Sequence, residues 1–160
     1  MLHHYFMPTP AGFVIPYIHI IASETGIKSV LLAHQKHLEE NPNDLTMACA
    51  EALGGYFAGQ VFSFDLPLED EGTPFQKQVW GTLRKIGFGE TWSYQDTARA
   101  MGLPKHSRAV GGANNKNPIL IITPCHRVIG SDGRLVGYGG GIEVKKWLLE
   151  HEKKILGLRR

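Results

Sequence analysis

Cysteine is scarce in this chain: among 160 residues there are two, Cys49 and Cys125. They could form at most one bridge, which makes no disulfide scaffold, and in a reducing compartment both stay free thiols. Neither they nor the eight histidines fall at CxxC or HExxH spacing, so no metal site and no cofactor is expected. No apolar run approaches the roughly 18 residues that would span a bilayer, so no membrane association is expected. Met1 to Pro10 lacks a basic stretch followed by an apolar one, and the expectation is no signal peptide and a cytoplasmic protein. Internal repeats, low-complexity tracts and nucleotide-binding fingerprints are also missing. What remains is an ordinary globular composition, 42% hydrophobic and 20% charged, long enough for one large domain or two small ones.

Charge is unevenly spread. Residues 1–72 hold two Lys/Arg against nine Asp/Glu, and residues 73–160 hold fifteen against six, so the halves carry −7 and +9. The basic half faces a polyanion, or the two halves attract each other; charge alone leaves both open.

The first half predicts strands over Phe13–Ser23 and Ile27–Ala33, joined by Glu24-Thr25-Gly26 as a hairpin. Pro16 predicts an edge strand or a break. Asp44 reads as an N-cap, with Leu45, Ala48, Ala52, Leu53 and Tyr56 at helical spacing and Gly59 as the stop. Val61–Leu68 reads as another short extended segment, and Leu66–Gly72, with three consecutive acids, as a linker. The boundary therefore falls between residues 72 and 73.

The second half opens on Thr73-Pro74-Phe75-Gln76, which has the capping-box form, followed by a stripe at Phe75, Val79, Leu83 and Ile86, with Gly87 and Gly89 as the stop. Ser93 and Asp96 mark a second start, ending near Gly102, and Ser107–Asn114 makes a third helix. Helix, short turn, helix is a helix-turn-helix. Its second helix is nearly all small residues, which suits close approach by a neighbouring helix or by a nucleic-acid backbone. Ile119–Ile122 reads as a buried run, and a last helix over about residues 142–156 carries Val144, Trp147, Leu148 and His151 at helical spacing.

Cys125 lies between Pro124 and His126, beside Arg127. A free thiol is only a few per cent ionised at neutral pH, and neighbouring His and Arg favour the thiolate. These residues alone leave a nucleophile and a structural cysteine equally open.

Pro124-Cys125-His126-Arg127-Val128 resembles the active-site signature of the O6-alkylguanine-DNA alkyltransferases, also called methylated-DNA–protein-cysteine methyltransferases. Ser93-Tyr94-Gln95, Arg108-Ala109-Val110-Gly111, Asn117-Pro118, Gly137-Tyr138, Lys145 and Trp147-Leu148-Leu149 through Glu152 resemble the family in order and spacing. The similarity covers about residues 73–152; before that it is confined to Tyr56–Gly59 and the expected elements.

The resemblance implies an α+β (α/β) protein: a small N-terminal β-sheet and helix domain over 1–72 as structural support, and a mostly helical catalytic domain over 73–160 with a DNA-binding helix-turn-helix. It implies irreversible transfer of an alkyl group from O6-alkylguanine in double-stranded DNA to Cys125, once per molecule and without cofactor, with O4-alkylthymine as a second candidate lesion. His126 would act as base through a water, Glu152 would take charge from His126, Asn117 would orient the network, and Tyr94 would protonate the departing base. The nucleotide would be flipped out, with Arg108 filling its place. Ser93, Tyr94, Ala109, Gly111, Gly112 and Asn114 would meet DNA with Arg108 in the minor groove, where readout is degenerate. Val128, Tyr138, Gly139 and Lys145 would shape the base pocket, and the chain would act as a monomer. Glycine stands at 139 where many members of the family carry Ser or Ala, which implies a looser pocket loop. Three rivals make different predictions: a non-catalytic lesion sensor, which the presence of Cys125 disfavours; a sequence-specific regulator using only the helix-turn-helix; and a cysteine hydrolase that turns over repeatedly.

Overall fold

The computed structural model describes residues 1–135, 137–138 and 140–158. The backbone divides into two units, Met1–Glu71 and Gly72–Arg160.

The first unit is a three-stranded antiparallel sheet, β1 (His3–Pro8), β2 (Tyr17–Ala22) and β3 (Ile27–Ala33), in that order, with helix α1 (Asp44–Phe57) packed on it. The expected hairpin is β2–β3, and Pro16 breaks the chain just before β2, which is central rather than an edge. β1 went unpredicted because His3-His4-Tyr5-Phe6-Met7 shows no polar–apolar alternation: one face pairs Phe6 with His19, the other pairs Met7 with Ile18. Ile18, Ile20 and Ala22 meet the helix side, where Cys49, Leu53 and Tyr56 are fully buried. The helix is capped by Asn43, not by Asp44: Asn43 and Thr46 exchange reciprocal bonds. Val61–Leu68 forms no strand; Leu68 makes one parallel bridge to Ile27. The following acids are not all free linker, since Glu69 accepts from Ser23 and Thr25 and so caps the β2–β3 turn.

On the far face of the sheet His19 is 4% exposed, stacked on Phe6 at 4.2 Å and bonded through Nε2 to His4 Nδ1 at 2.9 Å, with the His37 ring edge-on at 5.3 Å. Burial, then the nearby His4 and His37, lower its pKa to about 4. A depressed histidine contributes stability above its unfolded pKa and loses it as pH falls towards the folded value. Between about pH 6.5 and 4, His19 is therefore expected to withdraw up to roughly 3 kcal/mol. Urea melts of the wild type and His19→Gln across that window measure the difference; parallel losses would remove His19 as the cause.

The second unit holds α2 (Pro74–Leu83), a short strand β4 (Trp92–Ser93), α3 (Tyr94–Ala100), α4 (Ser107–Asn114), a 3-10 turn at Cys125–Arg127, β5 (Val128–Ile129) and α5 (Ile142–Leu158). β4 and β5 pair in parallel, which ties the start of α3 to the residues after Cys125. Thr73–Gln76 and Ser93–Asp96 are both capping boxes with reciprocal bonds. α2 stops at Leu83, earlier than its stripe suggested, although Ile86 stays buried in the turn that follows. α3 and α4 form the helix-turn-helix, turned at Gly102 with φ +74°. Trp80 of α2 donates its indole N–H to the Ala113 carbonyl at 2.9 Å, anchoring the last turn of α4. The buried line of α5 is Val144, Lys145, Leu148 and Glu152; Trp147 and His151 instead stack on each other at its half-exposed flank. Among the described residues no helix is long and apolar enough to cross a membrane.

Candidate active site

Residues 119–128 are all buried, although 120–127 form turns rather than strand. Successive tight bonds shape them: Ile122 N–H to Leu120 O at 2.8 Å, Thr123 N–H to Ile119 O at 3.1 Å, and Cys125 N–H to Thr123 O at 2.8 Å. The path forces Ile121 to φ +69°, a left-handed conformation that a β-branched residue adopts only at a cost of about 1–3 kcal/mol. Such local strain is kept where surrounding packing fixes it, and here it delivers Cys125 at the start of the 3-10 turn.

Cys125 is 1% exposed. Its Sγ accepts from Asn117 Nδ2 at 3.2 Å, while the same amide donates to Thr123 O at 2.8 Å and takes the Ile119 N–H on Oδ1 at 2.9 Å. Asn117 therefore holds both the turn and the sulfur. The expectation that neighbouring charge would lower the thiol fails: burial pushes it up to about 11, and the Asn117 bond and the Lys145 charge offset only part of that. Arg127 does not face the sulfur. Its Nε and Nη2 clasp the two oxygens of Glu152 at 2.8 and 3.1 Å, and Nη1 donates to Ile86 O at 2.7 Å.

Glu152, on α5, is the hub. Besides Arg127 it meets His126 Nε2 at 2.6 Å and accepts the Gly89 N–H at 2.9 Å. Burial would raise its pKa, but the His126 bond and the Arg127 guanidinium outweigh that and hold it well below the usual carboxylate range. Burial lowers the His126 pKa against the opposing pull of Glu152, so the ring is neutral. A carboxylate only accepts, so Nε2 carries the hydrogen and Nδ1 is a bare base. Nδ1 is buried without a hydrogen-bond partner among the described residues. Sequence reasoning missed Arg127 as a clasp and Gly89 as a donor. Gly89 read as a helix stop, yet its φ is +80° and any Cβ there would lie 2.0 Å from Leu156.

Lys145, one helical face from Glu152, is fully buried and donates to Val128 O at 2.5 Å. Burial lowers its pKa to about 8 against the Cys125 charge. Tyr138 is 9% exposed, and its hydroxyl has no partner among the described residues. Tyr94, at the first turn of α3, is half-buried; its pKa is raised by burial and then by Cys125, which places its phenol within electrostatic reach of the sulfur. Its ring lies 3.6 Å from where a Cβ on Gly111 would be, an ordinary contact distance, so α4 packs against Tyr94 at Gly111 without excluding a small side chain there. Gly112 faces open space, and Arg108 and Ala109 are exposed beside it. Ser93 caps α3 and is half-exposed. Asn114 departs from its expected place on the DNA face: it is 1% exposed, with Nδ2 a long 3.5 Å from Cys125 O. Gly139 lies outside the described residues. Among the described residues no group of three or more His, Cys, Asp and Glu could hold a metal ion.

The family model for the DNA-binding domain of 6-O-methylguanine DNA methyltransferase matches residues 74–154. The methylated-DNA–protein-cysteine methyltransferase of Methanosarcina acetivorans is 41% identical over 157 residues, 94% of this chain and 98% of that protein. The protein of the same name from Shigella flexneri is 48% identical over 117 residues, 72% of this chain and 66% of that one. The fold matches the crystal structure of Mycobacterium tuberculosis OGT in complex with DNA with a TM-score of 0.84 and 40% identity, covering 96% of this chain and 94% of that one.

Proposed function

Because the chain belongs to the methylated-DNA–protein-cysteine methyltransferase family, and so is a DNA-repair protein that moves an alkyl group from O6-alkylguanine to a cysteine of its own, we propose that the acceptor is Cys125, served by the His126–Glu152 pair. The observation that carries this is the buried Sγ held by Asn117, next to a neutral imidazole whose Nδ1 is open. Cys49 lacks any such setting: it is buried in α1, and burial alone pushes its thiol up to about 12.

The resting thiol is protonated, so transfer begins with a proton moving from Sγ to His126 Nδ1 through a water. Glu152, fixed by Arg127 and Gly89, stabilises the imidazolium. The thiolate attacks the alkyl carbon in line; the S–C bond forms as the C–O6 bond breaks, and the electron pair leaves on guanine. Tyr94 gives that base a proton. Val128, Tyr138 and Lys145 surround the base, with Lys145 holding the Val128 carbonyl. Arg108, Ala109 and Gly112, exposed on α4, and the half-exposed Ser93, Tyr94 and Gly111 enter the minor groove, with Arg108 replacing the flipped nucleotide. One chain acts on one lesion in double-stranded DNA, and it does so in the cytoplasm. The first unit is support. O6-alkylguanine is the principal lesion and O4-alkylthymine the second.

Intact mass after mixing with an O6-methylguanine duplex tests the reading. One added methyl per chain, mapped to Cys125, is expected; methyl on Cys49 or repeated turnover would sink it. The added carbon must fit beside a sulfur that is already buried and bonded. Overpacking of about 1–3 kcal/mol is expected, so the alkylated protein should melt roughly 2–12 °C lower. Equal melting temperatures would show that the pocket has room.

A further inference from the structure

Three buried polar atoms have no hydrogen-bond partner among the described residues: Asn114 Oδ1, His126 Nδ1 and the Tyr138 hydroxyl. The first two have defined roles. His126 Nδ1 is an acceptor, because Nε2 gives its hydrogen to Glu152. Asn114 turns its nitrogen towards Cys125 O, which can only accept, and this leaves Oδ1 as a second acceptor. The Cys125 thiol is a donor on the residue whose carbonyl Asn114 meets and which His126 follows, with Asn117 already bonded to its sulfur. Two acceptors and one donor complement a single water, which donates twice and accepts. Asn114 is the last residue of α4, and its neighbour Ala113 is pinned by Trp80, so the amide has a fixed bearing.

We propose that Asn114 is a positioning residue for the transfer: its amide bridges the Cys125 carbonyl and the relay water, holding that water between Cys125 Sγ and His126 Nδ1. The proposal rests on the relay reading given above. The thiol passes its proton to the water as the water passes one to Nδ1, leaving thiolate, water and imidazolium. The other charged or titratable groups facing the relay are Arg127, Tyr94 of α3, Tyr138, and Lys145 and Glu152 of α5. None is altered by changing Asn114. Because Asn114 shares α4 with the exposed Arg108, the same helix that meets DNA also sets the water.

The test is single-turnover methyl transfer from an O6-methylguanine duplex at saturating protein, between about pH 6 and 9.5. Asn114→Leu keeps the branched shape and removes both polar atoms; Asn114→Met is read by the same criterion should the leucine variant not fold. The variant should bind the duplex as wild type does and transfer about 10- to 100-fold more slowly at neutral pH. The gap should close as pH rises, because hydroxide then ionises the thiol without the relay. A deficit equal at every pH would mark a merely structural residue and overturn the proposal, as would no deficit. His126→Gln in the same series separates the two ideas. Wild-type rates there would remove the relay itself, whereas a slow His126 variant beside an unimpaired Asn114 variant removes only the role of Asn114.

Discussion

Cys125→Ser is expected to carry no methyl after exposure to an O6-methylguanine duplex, while still binding that duplex. The substitution leaves every hydrogen bond of the turn in place, since Asn117 still has Thr123 O and Ile119 N–H and can meet the new hydroxyl. What is lost is the nucleophile. A thiol can be ionised by an imidazole acting through water; a serine hydroxyl is a far weaker acid and a poorer attacker of saturated carbon. Intact mass and a gel-shift titration on one preparation read both halves of the expectation. Full methylation of the variant would move the acceptor to Cys49. Loss of lesion binding together with transfer would mean that the sulfur supports the pocket rather than reacting in it.

Glu152→Ala should be the most damaging change to stability. Glu152 is 1% exposed and meets Arg127, His126 and Gly89 together; Arg127 is 5% exposed. Removing the carboxylate strands a buried guanidinium, which costs about 3–5 kcal/mol. For a chain of this length that lowers the melting temperature by roughly 6–20 °C. Transfer should also fall by about 10²- to 10⁴-fold, as the imidazolium loses its counter-charge and the ring its orientation. Glu152→Gln keeps one acceptor oxygen, enough for His126 or Gly89 but not both, and should lose less stability than the alanine variant. The carboxylate's pKa is depressed in the folded protein, so its contribution is present above the unfolded value near 4.3 and is lost as pH falls below that. Denaturant melts of the wild type and Glu152→Gln should therefore differ most above about pH 5 and converge in acid. A gap that does not narrow would assign the loss to packing alone.

How much of this was legible in the chain varied with the kind of interaction. Capping boxes are local, so Thr73–Gln76 and Ser93–Asp96 could be read directly and the helix-turn-helix followed. β1 could not be read, because its pattern makes sense only against β2: on the face away from α1, His4 and Phe6 both meet His19 across the ladder. The face of α5 was misjudged for a related reason. Lys145 and Glu152 look like solvent residues, and Trp147 and His151 look like core. The choice reverses because the interior already holds an acceptor for the lysine and an arginine for the glutamate. The signature around Cys125 pointed to the proposed reacting residues through resemblance, but not to the clasp: Ile86, Gly89, Arg127 and Glu152 come from three stretches of sequence that meet only in the fold. Asn114 was misplaced because helical periodicity of small residues shows no inside until Trp80 fixes which side of α4 is covered.

The burial of Cys125 has a consequence for the lifetime of the unused protein. A molecule that can react once is spent as surely by a stray oxidant or a free alkylating agent in solution as by its target. Both kinds of damage need thiolate and access. With its thiol held protonated, near a pKa of about 11, and 1% exposed, Cys125 is withheld from them. In the proposed relay, the base that would ionise it, His126, is buried with it. The same enclosure that makes the sulfur sluggish towards general reagents is thus what keeps a single-shot protein unspent until a lesion arrives.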